Sequence, residues 1–102
     1  MAYLLITYDL PPTDRMFRYS EEALVLLRHF ADTPGYVRVI GMRAPDNSSP
    51  SAVVAFEYDT LDHARAAHDS KRFAEDIQSL RDLGCTDITV RVLDQSPLIP
   101  RR

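Results

Sequence analysis

Histidines in one charged stretch are the side chains of this sequence best suited to acid–base or metal chemistry. The stretch FEYDTLDHARAAHDSKRF, residues 56–73, contains His63 and His68. A separation of five residues turns two side chains about 140° apart on a helix, whereas two metal ligands on one face need a separation of three or four. His68 shares a helical face with Leu61 and Ala64, which makes it a candidate base. The competing interpretation of His68 is a helix-edge histidine bonded to a backbone carbonyl.

The other reactive groups form no recognisable metal, nucleophile or nucleotide motif. His29 flanks the apolar stripe of the first predicted helix, and no third ligand joins the histidines, so we expect no metal. Cys85 has no histidine near it in sequence, which indicates a small buried residue and not a nucleophile. The three glycines are scattered and give neither a dinucleotide nor a P-loop fingerprint. We therefore expect no cofactor.

Tyrosines and arginines at strand positions form a larger chemical set. A half-buried phenol or guanidinium needs a hydrogen-bonding partner. One interpretation places the tyrosines at sheet edges and the arginines across a dimer interface. The other is a pocket between sheet and helices that holds a planar phenolic ligand. The residues alone leave both open; they are Tyr3, Tyr8, Tyr36, Arg38, Tyr58 and Arg91.

The composition is that of one ordinary globular domain. The 102 residues are 45% hydrophobic and 26% charged, and the net charge of −3 comes from 12 basic and 15 acidic residues that are interspersed. Without a basic stripe, we expect no nucleic-acid partner. No segment approaches the roughly 20 apolar residues of a membrane span, and the N-terminus does not resemble a signal peptide. These features predict a cytoplasmic protein with no membrane partner.

Hydrophobic periodicity predicts the element order β-α-β-β-α-β. Runs rich in β-branched and aromatic residues predict strands at 2–9, 36–44, 51–59 and 85–94. Apolar residues at helical spacing predict a helix at 20–32 with Ser20 as its N-cap, and another at 60–82 capped by Thr60 or Asp59. This order is that of a ferredoxin-like α+β domain over residues 1–94, followed by an extended arm at 95–102.

The third predicted strand carries apolar side chains on both of its faces. Val53 and Ala55 point to one face, and Val54, Phe56 and Tyr58 to the other. Two helices cover only one face of a four-stranded sheet, so a monomer would expose an apolar sheet, which usually marks an interface. We therefore expect a homodimer in which the two sheets pack face to face.

The run TPGYVRVIGM followed by SAVVAFEYDTLDHARAAHDSKRF resembles the antibiotic biosynthesis monooxygenase family of dimeric α+β barrels. The shared pattern is a Pro-Gly pair after the first helix, an acid and an aromatic residue ending the third strand, an Ala-His pair, and a Ser-x-x-Phe turn. The resemblance covers about residues 30–80 and implies a homodimer of ferredoxin-like subunits, each with a pocket between sheet and helices. In this chain the pattern is Pro34-Gly35, Glu57-Tyr58, Ala67-His68 and Ser70 with Phe73.

Members of this family include cofactor-independent monooxygenases of aromatic polyketides, haem-degrading enzymes and proteins without known activity. The resemblance to the first group implies a pocket that binds, desolvates and stabilises a substrate anion, which then passes an electron to oxygen. Tyr58 stands where the family usually has tryptophan. Ile77 stands where the haem-degrading relatives have a histidine ligand, and the first strand lacks their asparagine, so haem oxygenation is disfavoured.

The leading hypothesis is a cofactor-independent monooxygenase that acts on a small aromatic or polyketide-type substrate. The alternatives are a non-catalytic dimeric module that binds a small molecule or another protein, and a polyketide cyclase or isomerase on the same fold. The predicted catalytic residues are His68 as base, Tyr58 and Arg38. The predicted substrate-binding residues are Tyr8, Tyr36, His29, Phe73 and Arg72.

Overall fold

A computed structural model describes residues 1–96 of the chain. Within these residues, no helix is long and apolar enough to cross a membrane. From residue 97 onward, the predicted arm at 95–102 lies outside the described residues. The elements are β1 (Ala2–Asp9), α1 (Met16–Ala31), β2 (Tyr36–Arg43), β3 (Ala52–Tyr58), α2 (Leu61–His68), α3 (Lys71–Asp82) and β4 (Thr86–Asp94), with a 3-10 turn at Thr13–Arg15 before α1.

The four strands form one antiparallel sheet in the order β2-β3-β1-β4. The central strand β1 pairs on one side with β3 and on the other with β4, so that Leu4 lies opposite both Phe56 and Val92. This architecture confirms the ferredoxin-like α+β fold that the element order predicted.

Alternation along the strands separates a helix-covered face from an open face. On the covered face, Leu4, Ile6 and Phe56 are buried, and the Phe56 ring stacks on Phe30 of α1 with centroids 4.0 Å apart. The core on this face also includes Tyr8, Leu26, Tyr58, Phe73, Ile77 and Leu80.

The open face carries an apolar patch and one polar cluster. The register places Leu5 opposite Ala55, and Ala55 opposite Ile40. Ile40 and Met42 are 39% and 57% exposed. Beside them, Glu57 is only 6% exposed and accepts hydrogen bonds from the Tyr3 hydroxyl at 3.1 Å and from Arg38 Nη2 at 3.4 Å. The apolar residues of this face include Leu5, Ile40, Met42, Val53, Ala55 and Leu93.

Two predicted helix boundaries were wrong. The first helix begins at Met16, four residues before the predicted start. Ser20 is therefore inside the helix and not at its N-cap, and its hydroxyl donates to the Met16 carbonyl at 2.9 Å.

The predicted helix at 60–82 is two helices, α2 and α3, separated by Asp69 and Ser70. Ser70 caps α3 by accepting a hydrogen bond from the Phe73 N–H at 3.1 Å. A serine side chain offers the backbone a partner that competes with continued helix, which explains the break at this position. Thr60 caps α2 through the His63 N–H at 3.2 Å, as predicted.

Candidate active site

A cavity of about 200 Å³ lies between the sheet and α1; it is hereafter the sheet–helix cavity. Its wall is apolar except for the hydroxyls of Tyr8 and Tyr19. The lining residues are Ile6, Tyr8, Tyr19, Ala23, Leu26, Leu27, Val39, Gly41, Val54 and Leu80.

Two different elements bring the tyrosines together. Tyr8 is the last inward-facing residue of β1. Tyr19 lies in the first turns of α1, on the same helical face as Ala23 and Leu26. The two hydroxyl oxygens are 2.5 Å apart, and the rings meet edge to face with centroids 6.2 Å apart. Tyr19 was not predicted as a site residue, because the apolar pattern placed the helix start at residue 20.

Burial keeps both tyrosines neutral. Desolvation raises the pKa of Tyr8 well above its usual range, and the hydrogen bond to Tyr19 raises it further. Desolvation also raises the pKa of Tyr19. Two hydroxyls that share one hydrogen bond have a second proton left over, which is available to a ligand oxygen. A neutral donor in apolar surroundings is suited to hold an oxyanion, because no water competes for it.

The sheet–helix cavity adjoins a shallower opening of about 230 Å³, which shares Tyr8, Tyr19, Gly41 and Val54 with it. Arg43 lines this opening, and its side chain makes no hydrogen bond or ion pair with the described residues. Its charge lowers the pKa of both tyrosines, an effect smaller than that of burial. A Cβ atom on Gly41 would meet no other atom within 4 Å. The missing side chain therefore keeps this space open.

A second cavity of about 200 Å³ lies between the end of α1 and the junction of α2 with α3; it is hereafter the interhelix cavity. His29 Nδ1 lies 3.1 Å and 3.2 Å from the two carboxylate oxygens of Asp76. Sequence analysis did not select Asp76. The sequence feature that indicates Asp76 is its position, an acid on the core-facing side of α3, one turn from Phe73. A carboxylate buried there requires a partner. The lining residues are His29, Phe30, Thr33, Ala67, Ser70, Arg72, Phe73 and Asp76.

The predicted catalytic residues do not meet in either cavity. Tyr58 is fully buried, and its hydroxyl lies 2.7 Å from the Thr33 hydroxyl. Thr33 already donates its proton to the Phe30 carbonyl at 2.6 Å, so Tyr58 must be the donor to Thr33 and has no proton left for a ligand. Arg38 lies on the open face with Glu57, on the opposite side of the sheet from Tyr58.

His68 lies at the end of α2 and lines neither cavity. Its side chain is 41% exposed, and its Nδ1 atom is 2.8 Å from Asp69 Oδ1. Sharing a face with Leu61 and Ala64 therefore does not place His68 in a cavity, and its partner is a carboxylate and not the backbone carbonyl of the competing interpretation. Its ring centroid is 5.7 Å from that of Phe73, which places it just outside the interhelix cavity.

The predicted substrate-binding residues fall into two groups. His29, Arg72 and Phe73 line the interhelix cavity, whereas Tyr8 lines the sheet–helix cavity. Tyr36 packs edge to face against Tyr58, with ring centroids 6.3 Å apart.

Metal ligands do not cluster in the part of the chain that the structure describes, where no group of three or more His, Cys, Asp or Glu side chains could hold an ion. Each histidine instead faces one aspartate. His63 Nδ1 is 2.6 Å from Asp59 Oδ1, and this hydrogen bond lowers the pKa of the carboxyl group.

No family model matches the chain, and no curated protein matches it in sequence. Solved structures share its fold. A candidate antibiotic biosynthesis monooxygenase from Deinococcus radiodurans gives a TM-score of 0.78 over 100% of this chain and 99% of its own, at 11% identity. A variant of SnoaB, a cofactor-independent oxygenase from Streptomyces nogalater, gives 0.74 over 98% and 97%, at 17% identity.

A dimeric ferredoxin-like protein of unknown function from Jannaschia sp. CCS1 gives a TM-score of 0.69 over 92% of this chain and 98% of its own, at 15% identity. At such low identities the likeness establishes the fold. It confirms that the chain has the fold of antibiotic biosynthesis monooxygenase-like proteins, as the resemblance implied.

Proposed function

We propose that this protein is a cofactor-independent monooxygenase that oxidises a small aromatic or polyketide-type substrate in the sheet–helix cavity. The observation that carries the proposal is the hydrogen-bonded hydroxyl pair of Tyr8 and Tyr19 in an otherwise apolar cavity. The proposal draws further support from the fold shared with SnoaB, which is described as a cofactor-independent oxygenase.

The reaction needs an anion and oxygen. A substrate of the anthrone type loses a proton from its activated CH2 group, and the anion passes one electron to O2. The two radicals combine to a peroxide anion, which takes up a proton from solvent to give a hydroperoxide. The hydroperoxide loses water and leaves a carbonyl, so that CH2 and O2 become C=O and H2O. The protein's part is to desolvate the substrate and to stabilise the anion through the neutral tyrosine donor. One such donor contributes about 10²–10³-fold in rate.

The dimensions of the cavity restrict the substrate. Its volume of about 200 Å³ is below the roughly 300–1,000 Å³ of sites for drug-sized ligands. One or two rings fit inside the cavity, so the third ring of an anthrone, or further substituents, would extend into the opening. Arg43 lines that opening, and its charge favours an anionic form of the substrate there. The proton that the substrate loses leaves through the same opening to solvent.

Oxygen uptake with a panel of hydroquinones, naphthalenediols and anthrones tests the proposal. Tyr8→Phe and Tyr19→Phe should each lower the rate about 10²-fold. The double variant should be no slower than either single variant, because the two hydroxyls act as one unit. Uptake by the wild type that only equals that of buffer, for every substrate, would rule out monooxygenation. Substrate binding without oxygen uptake would favour the non-catalytic binding module.

The same assay decides between the two sets of catalytic residues. His68→Gln and Tyr58→Phe change residues that line neither cavity, so we expect near wild-type rates. Loss of activity in these two variants, with full activity in Tyr8→Phe, would instead support the catalytic residues predicted from the sequence.

We also propose that the protein is a homodimer whose subunits meet through their open faces. The exposed Ile40 and Met42 side chains support this, as does the dimeric description of the Jannaschia protein with the same fold. Light scattering tests it, as set out below.

A further inference from the structure

The interhelix cavity contains an acid–base pair that the proposed oxygenation does not use. Both carboxylate oxygens of Asp76 face His29 Nδ1. In a neutral imidazole this nitrogen therefore carries the proton and donates it to the carboxylate, which leaves Nε2 as an acceptor. None of the described residues is hydrogen-bonded to Nε2. His29 lines the interhelix cavity, and its side chain is 27% exposed.

The His29–Asp76 pair is more buried than the other two histidine–aspartate pairs. The aspartate side chains at the His63 and His68 pairs are 52% and 75% exposed, but that of Asp76 is 11% exposed. Those two pairs are local in sequence, whereas His29 and Asp76 are 47 residues apart and join α1 to α3. The core of the protein therefore holds the His29 ring in place, and solvent surrounds the other two pairs.

The neighbours of the pair indicate the class of ligand. Phe30 and Phe73 meet edge to face, with centroids 5.5 Å apart, and give the cavity an aromatic wall. Arg72 lines the same cavity and lies four residues before Asp76, so the two share one side of α3 about one turn apart. Arg72 has no ion pair among the described residues. An acceptor, an aromatic surface and a cation thus lie within one small space.

We propose that the interhelix cavity binds a small phenolic carboxylic acid. The ring packs against Phe73, the carboxylate bonds to Arg72, and the hydroxyl donates to His29 Nε2. When the proton crosses, the ligand O–H bond breaks and an Nε2–H bond forms, and Asp76 balances the charge of the resulting imidazolium. A single ring suits the volume of about 200 Å³. This site is separate from the proposed oxygenase site, and neither requires the other.

Titration of the full chain with 4-hydroxybenzoate, followed by NMR of the imidazole signals, tests the proposal. His63, which does not line the cavity, is the control in the same spectra. The His29 signals should move to saturation while those of His63 stay nearly constant. Benzoate lacks the hydroxyl and 4-hydroxybenzamide lacks the charge, so each should bind about tenfold more weakly or worse. The reason is that a hydrogen bond to a charged group contributes about 1.5–3 kcal/mol, and 1.4 kcal/mol is tenfold.

Variants identify which group recognises which end of the probe. His29→Gln should abolish the preference for 4-hydroxybenzoate over benzoate, and Arg72→Gln the preference over 4-hydroxybenzamide. Arg81→Gln is the control, because Arg81 is an exposed cation of α3 that does not line the cavity. Tyr8→Phe should leave all three affinities unchanged, which separates this site from the oxygenase proposal.

The preference ratio within each folded variant is a readout that a merely structural histidine would not change. Thermal unfolding shows whether each variant is folded under the conditions of the titration. Equal affinities for the three probes, equal shifts of His29 and His63, or an unchanged preference in His29→Gln would overturn the proposal.

Discussion

Individual residues in this protein acquire their chemistry from burial. Tyr8 is buried under α1, and this burial raises its pKa. The same position brings its hydroxyl into a hydrogen bond with Tyr19. Burial likewise raises the pKa of the Cys85 thiol to about 11, which fits the predicted role of Cys85 as a small buried residue. The sequence indicated which strand tyrosines need partners, but it did not identify the partner of any of them.

Gly41 offers a test of the sheet–helix cavity that does not touch a polar group. Gly41→Val should place a branched side chain into the open space and weaken ligand binding and oxygen uptake at least about tenfold. The free energy of unfolding should stay the same or rise slightly, because a Cβ here meets no atom and β-branched residues suit strands. Gly41→Ala is the control, since it leaves most of the space open. Wild-type binding by the valine variant would contradict the assignment of this cavity.

Alkaline pH should destabilise the protein partly through Tyr8. Desolvation raises the pKa of Tyr8 in the folded state, whereas the unfolded chain ionises near pH 10. Above about pH 10 the folded state therefore binds more protons than the unfolded chain. The contribution of Tyr8 to the free energy of unfolding is complete below about pH 10 and decreases as the pH rises above it. The slope is at most about 1.4 kcal/mol per pH unit for each such tyrosine.

The measurement is the free energy of unfolding by urea between about pH 8 and pH 11. Tyr8→Phe should flatten the decline relative to the wild type. Buried Tyr19 and Tyr58, whose pKa values desolvation also raises, should still give a decline in the variant. Identical slopes in the two proteins would contradict the prediction.

At the scale of elements, local sequence causes the break between α2 and α3, and this break affects the lining of the interhelix cavity. Apolar residues continue at helical spacing through residues 60–82, which predicted one helix. Ser70 instead starts a new helix by capping the Phe73 N–H, and both Ser70 and Phe73 line the cavity. The cap thus fixes the direction in which α3 presents Arg72, Phe73 and Asp76.

Ser70→Ala should therefore destabilise the fold by about 1 kcal/mol, since removal of a serine N-cap typically costs about 0.5–2 kcal/mol. Urea denaturation measures the change. Ser79→Ala is the matched control, because the Ser79 hydroxyl bonds the Glu75 carbonyl inside α3 and caps nothing. Its effect should be within about 0.5 kcal/mol. Equal effects of the two substitutions would show that the cap does not stabilise α3.

At the scale of the whole molecule, the open face carries the proposed dimer interface. Beside its apolar residues lies the hydrogen-bonded cluster of Tyr3, Arg38 and Glu57, of which only Glu57 is buried. The surface therefore has both an apolar area and a polar feature. Contiguous exposed apolar surface on a soluble domain usually marks an interface. On the other face of the sheet, α1, α2 and α3 already cover the apolar side chains.

Ile40→Glu should convert the proposed dimer to a monomer, because it places a charge in an apolar contact. Light scattering at micromolar concentration measures the mass. Leu24→Glu is the control: Leu24 is 55% exposed on α1, away from the open face, and its variant should remain dimeric. A monomeric wild type would refute the proposed assembly.

The sequence by itself determined the order of the strands and helical segments, apart from the break between α2 and α3, as well as the two faces of the strands and the fold. These depend on backbone periods of 2 and 3.6 residues, which hydrophobic patterning records locally. Only the tertiary structure decided the sites. Tyr8 with Tyr19, Tyr58 with Thr33, and His29 with Asp76 are pairs 11, 25 and 47 residues apart. Their contacts depend on how α1, α3 and the sheet pack, and local periodicity carries no information about which polar side chains that packing brings together.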